Sequence, residues 1–266
     1  MVNQRTNRRG FFKQGAFQAA ALTIVPSTVL AQRGNVSPND KLNIAAIGIG
    51  GRGGDDLRNA EGENIVALCD VNESQARRAF QAHPKAKKYK DFRVMFDEME
   101  DEIDAVIVAT PDHTHSVAAI NALKRKKHLY CEKPLCHSIY ETRVITDAAR
   151  EAGVMTQMGN QGHSSDEIRM LCEWIDDSVV GEIREIYSWS DRPVGGDPWS
   201  DFLVQARPKD TPPVPEGLDW DLWLGPVQYR PYHPDYCPMK WRSWTAFGTV
   251  RLATWAVISW TLPSGH

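Results

Sequence analysis

The chain has 266 residues, 42% hydrophobic and 24% charged, with a formal net charge of -3. That is an ordinary globular composition, long enough for two modest domains and a sizeable core, and the small negative charge without any basic stripe gives nucleic acid no electrostatic footing. The five cysteines form no C-x-x-C pair and no zinc spacing, and their odd count argues against a disulfide framework.

The first forty residues read as an address. Arg8-Arg9 precedes an apolar segment, Ala16 to Leu30, that is too short and too interrupted, by Gln18 and Pro26, to span a bilayer as a stable helix. Val29-Leu30-Ala31 supplies small residues for cleavage, so a mature chain would start at Gln32. The stretch resembles a twin-arginine (Tat) export signal, which predicts a leader over 1–31, a polar linker over 32–40, passage through the Tat machinery and a periplasmic destination. A basic amphipathic N-terminal helix is the alternative. Nothing else in the chain is long and apolar enough to span a membrane.

The organising stretch follows at 41–54. An apolar run enters glycines at the spacing G-x-G-x-x-G, namely Gly48, Gly50 and Gly53, with Ile49, Gly51 and Arg52 between them. The first glycine permits a tight turn, the second lets backbone approach a pyrophosphate, and the third lets a helix pack against the strand. A helix predicted from Asp55 to Ala60 would aim bare N–H groups at the phosphates. The next strand, from Asn64, ends at Asp70, about 20 residues on, where a carboxylate can hold ribose hydroxyls. A glycine-rich turn without ligand is the bland alternative.

Further on, Glu73–Ala82 predicts a helix, 85–90 a basic solvated loop, and the stretch from Phe92 a short helix. Ala105 to Thr110 is an apolar run suited to a strand buried on both faces. The helix predicted over Asp112–Lys127 would present Val117, Ile120 and Leu123 to the core. His128 to Cys131 predicts a strand, and Cys69 and Cys131, at strand ends, read as small apolar packing residues. Ser138–Ala152 predicts a helix with a Ser138/Glu141 capping box and Gly153 as its stop, and Val154 to Met158 a sixth strand. Strand alternating with helix over 41–160 means an α/β fold with a doubly wound parallel sheet. Beyond it, 161–249 reads as the start of a second, α+β domain, dense in tryptophan and proline from Ile183 onward.

Ligands of open α/β sheets sit at the carboxyl ends of the strands, where Ala109-Thr110-Pro111-Asp112-His113-Thr114-His115 and Cys131-Glu132-Lys133-Pro134 fall. With the glycine fingerprint, A-T-P-D-x-x-H and E-K-P in this order resemble the Gfo/Idh/MocA family of nicotinamide-dependent oxidoreductases. Met158-Gly-Asn-Gln-Gly-His163 and Trp241-Arg-x-Trp-Thr-Ala-Phe-Gly248 resemble its exported bacterial members. The resemblance covers 41–249 and implies a Rossmann domain followed by a substrate and dimerisation domain. It implies that Lys133 sits beside nicotinamide and carbinol and helps move the hydroxyl proton. Glu132 and the turn from Thr110 through Pro111 to His115 would line the cofactor, and Pro134 would follow a cis peptide. Asn160 and His163 would face the substrate, or that loop would instead cap a helix. His113 reads as a surface turn residue. Asp70 favours NAD by repelling a 2′-phosphate, while Arg77 and Arg78 leave NADP open.

The chain departs from the family after Thr249. The family pattern A-L-G-D-M-G-C-H-I-x-D, whose aspartate and histidine complete the catalytic group, has no counterpart in 250–266. Reading the last base of each codon with the first two of the next forces glycine from Trp255-Ala256 and aspartate from Trp260-Thr261, both where the pattern has them. The expectation is an out-of-frame tail over 250–266, which leaves the second domain incomplete. Three functions then compete: an exported oxidoreductase acting on a sugar or polyol, a glycosidase using NAD transiently, and a nucleotide-binding remnant. The family pairs into homo-oligomers through the second-domain sheet, which puts pairing in doubt for this chain.

Overall fold

The computed structural model describes residues 40–185, 187 and 206–249; the expected leader and the tail beyond Thr249 lie outside them. Six strands form, the inner ones from short apolar runs: β1 (Asn43–Ile47), β2 (Asn64–Cys69), β3 (Lys87–Tyr89), β4 (Ala105–Val108), β5 (His128–Glu132) and β6 (Thr156–Gly159). All neighbours pair in parallel, in the order β3-β2-β1-β4-β5-β6, so the winding reverses between β1 and β4. A crevice at the carboxyl ends belongs at that reversal.

The crossovers are α1 (Arg52–Asn59), α2 (Glu73–Ala82), α3 (Phe92–Met99), α4 (Asp112–Lys124) and α5 (Ile139–Ala152). Ala45 and Ile47 of β1 pack with Val106, Val108 and Cys131 against Phe96, Ala122 and Ile145 on one face. Ile44 and Ala46 pack with Leu68 against Leu57, Ala76 and Ala79 on the other. Alternate residues of one strand therefore serve opposite faces, which is why the strands read as continuous apolar runs. Cys69 and Cys131 are both buried in the first of these clusters. The caps follow the sequence: Ser138 and Glu141 make the reciprocal box at the start of α5, and Gly153 ends it in the left-handed region.

Three expectations need correction. Helix α1 begins at Arg52, inside the fingerprint, rather than at Asp55. The basic stretch 85–90 contains β3, an edge strand whose exposed Lys87 and Lys88 hide its strand character, since edges tolerate lysine. Helix α4 buries Ala118, Ala119, Ala122 and Leu123, while Val117 is 36% exposed. Leu123 and Ile120 pack on the core as expected, but alanines rather than Val117 fill the rest of the inner face and so let the helix lie close on the sheet.

Beyond β6 the described residues contain α6 (Asp166–Asp176) and α7 (Trp220–Leu224) but no strand, only an isolated bridge between Asn72 and Leu218. Trp220, Trp223, Tyr232, Tyr236, Trp241 and Phe247 form their own buried aromatic cluster. Helix α6 is capped by Ser165 and buries none of its residues, with Met170, Leu171 and Trp174 exposed.

Candidate nucleotide site at the strand ends

The β1–α1 turn meets the end of β4 at van der Waals limits. Gly48 has φ +79°, donates its N–H to the Cys69 carbonyl at 2.8 Å, and a Cβ on it would stand 2.7 Å from Thr110 N. A Cβ on Gly53 would collide with the Gly48 carbonyl oxygen. Ile49 is 2% exposed and anchors the loop in the core, while Gly50 and Gly51 carry it outward. Helix α1 has no side-chain N-cap, and nothing lies within 4 Å of where a Gly51 Cβ would stand. Its first-turn N–H groups thus border an open cradle that fits a phosphate.

Asp70 follows β2 and closes the cradle from below. Its Oδ2 accepts from Ile49 N at 3.0 Å and Gly50 N at 3.2 Å, and its Oδ1 from Asn72 N at 2.9 Å. Burial raises the carboxyl above its ordinary value, and those N–H groups pull it back. The carboxylate therefore fixes the glycine loop. Arg77, Phe80, Lys88, Tyr89 and Lys90 line a cleft with it.

At the β4–α4 turn, Thr110 Oγ1 donates to the Pro111 carbonyl at 3.4 Å. His115 lies behind this turn rather than lining the opening. It is 1% exposed, with Nδ1 2.8 Å from the Pro134 carbonyl and Nε2 2.6 Å from the Thr110 carbonyl, so it positions both strand-end loops. His113 is not a surface residue. It is 1% exposed, its Nε2 lies 2.9 Å from the Trp223 carbonyl and its Nδ1 3.2 Å from the Phe247 carbonyl. Burial lowers its pKa to about 4, so the ring is neutral. The Phe247 carbonyl already accepts from His113 N, which leaves Nε2–H to donate to Trp223. Asp112, equally buried, accepts from Thr249 N and Oγ1, both at 3.1 Å. Through Asp112, His113 and His137, whose Nε2 lies 2.8 Å from the Thr245 carbonyl, the aromatic segment is tied over the strand ends.

Glu132 and Lys133 end β5, and the Lys133–Pro134 bond is cis, as expected. Lys133 is half-buried and its pKa is lowered, first by burial and then by the charges of Arg242 and Arg52 against Glu132 and Asp112. Arg242 stacks on Trp241, its guanidinium carbon 4.1 Å from the ring centre. Glu132 is buried in a polar knot. Its Oε1 accepts from Arg52 Nε at 3.2 Å and from Gln161 Nε2, and its Oε2 from Lys133 N at 3.2 Å. Gln161 also donates to Tyr130 Oη at 2.9 Å. Arg52 Nη2 pairs with Asp56 Oδ1 at 3.1 Å, and Asp56 Oδ2 is buried without a hydrogen-bond partner. Burial and the charge of Glu132 raise the Asp56 carboxyl to about 7.

Asn160 and His163 lie just past β6, on a single 3-10 turn, Gln161–Ser164, where His163 N donates to the Asn160 carbonyl at 3.0 Å. Ser165, not Asn160, caps the following helix. Sequence reasoning passed over Asp56, Gln161 and Tyr130. Gln161 lay within a quoted motif. Asp56, an acid inside a fingerprint helix four residues after an arginine, offered only a faint signal.

Residues 42–160 match the oxidoreductase family described as having an NAD-binding Rossmann fold, Gfo/Idh/MocA. A glycosyl hydrolase family 109 protein of Shewanella pealeana is 28% identical over 204 residues, 67% of this chain and 44% of that one. An inositol 2-dehydrogenase of Salmonella paratyphi B is 28% identical over 147 residues, 53% of this chain and 43% of that one. The crystal structure of myo-inositol 2-dehydrogenase from Lactobacillus plantarum superposes with a TM-score of 0.50 at 24% identity, covering 54% of this chain and 43% of that one, and shares the fold. The chain spans less than half the length of these curated relatives. Residues 42–160, which carry the glycine cradle, Asp70 and the parallel sheet, thus form a Gfo/Idh/MocA-type oxidoreductase domain, a Rossmann fold with NAD as its cofactor.

Proposed function

We propose that the protein oxidises a sugar or polyol carbinol with NAD. The observation that carries this is the position of Lys133: half-buried, at the carboxyl end of β5, one residue from Glu132, which touches the fingerprint residue Arg52. Bound NAD supplies the hydride acceptor for the carbinol C–H. The chain supplies the acceptor for the hydroxyl proton, and burial, by lowering the Lys133 pKa, readies its amine for that role. Asp70, just past the end of β2, supports NAD over NADP, although Arg77 lines the same cleft. Asn160 and His163 are proposed to face the substrate. The twin-arginine stretch supports export to the periplasm through the Tat machinery, and no helix among the described residues is long and apolar enough to cross a membrane.

The match to a glycosyl hydrolase family 109 protein over 67% of the chain favours a second reading. There the same hydride transfer would be transient, with elimination, addition of water and return of the hydride. The experiment supplies NAD with a panel of free sugars and polyols, and separately aryl glycosides. Steady NADH formation selects the dehydrogenase and aryl-glycoside cleavage without net NADH selects the glycosidase. NAD binding with neither reaction leaves a nucleotide-binding remnant and overturns both.

A further inference from the structure

The Arg52 guanidinium is the link between two places that bear opposite demands. Its backbone is the first residue of α1, between Gly51 and Gly53 of the phosphate cradle. Its side chain, 39% exposed, pairs with two buried carboxyls, Asp56 (4% exposed) and Glu132 (5% exposed). These carboxyls share the one guanidinium, and the charge of Glu132 adds to the cost of ionising Asp56. Glu132 is well satisfied, by Arg52, Gln161 and Lys133 N. Asp56 is not: Arg52 is its cationic contact, and Oδ2 has no partner. An ionised, buried, half-satisfied carboxylate is costly, and the guanidinium offsets that cost.

We propose that dinucleotide binding draws the Arg52 guanidinium off the Asp56–Glu132 pair toward the pyrophosphate, and that Asp56 takes up a proton in exchange. The inference rests on the nucleotide-binding reading above. A guanidinium at a helix N-terminus matches a phosphate bidentately, and its stem is exposed enough to turn. Once it turns, the titratable groups left acting on Asp56 are Glu132, Asp55 and Tyr130, none of them a cation. The proton then replaces the lost positive charge, and can bridge Asp56 to Glu132. Asp56 already sits near neutrality in the free protein, so the exchange falls within the working pH range. NAD affinity should be flat below about pH 7 and should weaken above it, approaching tenfold per pH unit until the bound-state carboxyl itself ionises.

The test is calorimetric titration of the full chain with NAD at pH 7.5, in phosphate, HEPES and Tris, whose ionisation enthalpies differ. The expected result is an apparent enthalpy that varies linearly with buffer ionisation enthalpy, with a slope reporting uptake of about 0.5–1 proton. Asp56→Asn should keep NAD binding and reduce the slope to zero. Arg52→Met should weaken NAD by about tenfold and also remove the slope, because its free carboxyl pair is already protonated. Buffer-independent heats with wild-type chain overturn the inference while leaving nucleotide binding standing. No binding of NAD in any buffer overturns the nucleotide-binding reading and the inference together. Should either variant fail to fold, the wild-type slope alone decides.

Discussion

His113 holds the aromatic segment to the sheet, and His113→Leu tests that claim with a magnitude. Leucine keeps the apolar contact with Trp223 and Phe247, whose ring centroids both lie 5.1 Å from the imidazole. It cannot donate to the Trp223 carbonyl. The Phe247 carbonyl still accepts from residue 113 N, so one buried acceptor is orphaned, at a cost of about 1–3 kcal/mol at pH 7.5. The pH dependence follows from the lowered pKa. Below 6.5 the unfolded ring protonates while the folded one stays neutral down to about 4, so His113 makes the wild type lose stability as pH falls through that window. From pH 6.5 to 5 this amounts to about 2 kcal/mol, at ~1.4 kcal/mol per pH unit. The variant lacks the linkage, so most of its deficit should vanish at pH 5. Urea unfolding of both proteins at pH 7.5 and 5.0 gives the two differences, and hydrogen exchange of peptides over 218–249 locates the loosening. A deficit that is the same at both pH values refutes the argument, as does unchanged protection of 218–249.

Four further outcomes are expected. Gly53→Ala should destabilise the chain by about 1–3 kcal/mol or more and abolish NAD binding, because a Cβ there meets the Gly48 carbonyl; calorimetry showing wild-type affinity would count against the cradle. Lys133→Met should lower turnover of an oxidisable polyol by about 100-fold or more while NAD binding stays within about threefold, so parallel losses in both would deny it a role in proton transfer. For Asp56 the sign is opposite to that of His113. Its folded pKa is raised from 3.8 to about 7, so its penalty is absent below 3.8, grows with pH through that window, and is full above 7. Asp56→Asn should therefore gain on wild type between pH 5 and 8 by up to about 3 kcal/mol, read from urea midpoints; a constant difference removes the argument. Finally, resequencing the source DNA across the codons for residues 247–258 should reveal one additional base, and an unchanged read dismisses the out-of-frame tail.

What could be read in advance was whatever depends on local spacing. The glycines from Gly48 to Gly53, the strand ending beside Asp70, the Ser138/Glu141 box and Gly153 each act within a few residues, and each stands where the pattern put it. The sheet was equally legible, because strands covered on both faces must be apolar throughout. The errors arose where burial is achieved without the usual residue types. Alanines share the inner face of α4 with Leu123 and Ile120, so Val117 was wrongly assigned to it. Two lysines sit in β3 because an edge leaves them in water.

The polar interior was illegible for a different reason. His113 is bonded to carbonyls 110 and 134 residues away, Asp112 to Thr249 across 137, and Arg52 to Glu132 across 80. A histidine in a turn is indistinguishable by sequence from an exposed one until the segment that covers it is placed. Such groups are buried because distant backbone needs donors and acceptors, not because their neighbours predict burial. That also separates fold from control in this chain. The sheet would survive many apolar exchanges, whereas each of these long-range polar ties has a single partner geometry and a protonation state that must match it. His113 and Asp56 should therefore contribute opposite pH dependences to one domain between about pH 4 and 6.5. Opposite tilts in His113→Leu and Asp56→Asn, relative to the wild-type profile, are the signature of two buried groups held uncharged with opposite linkage.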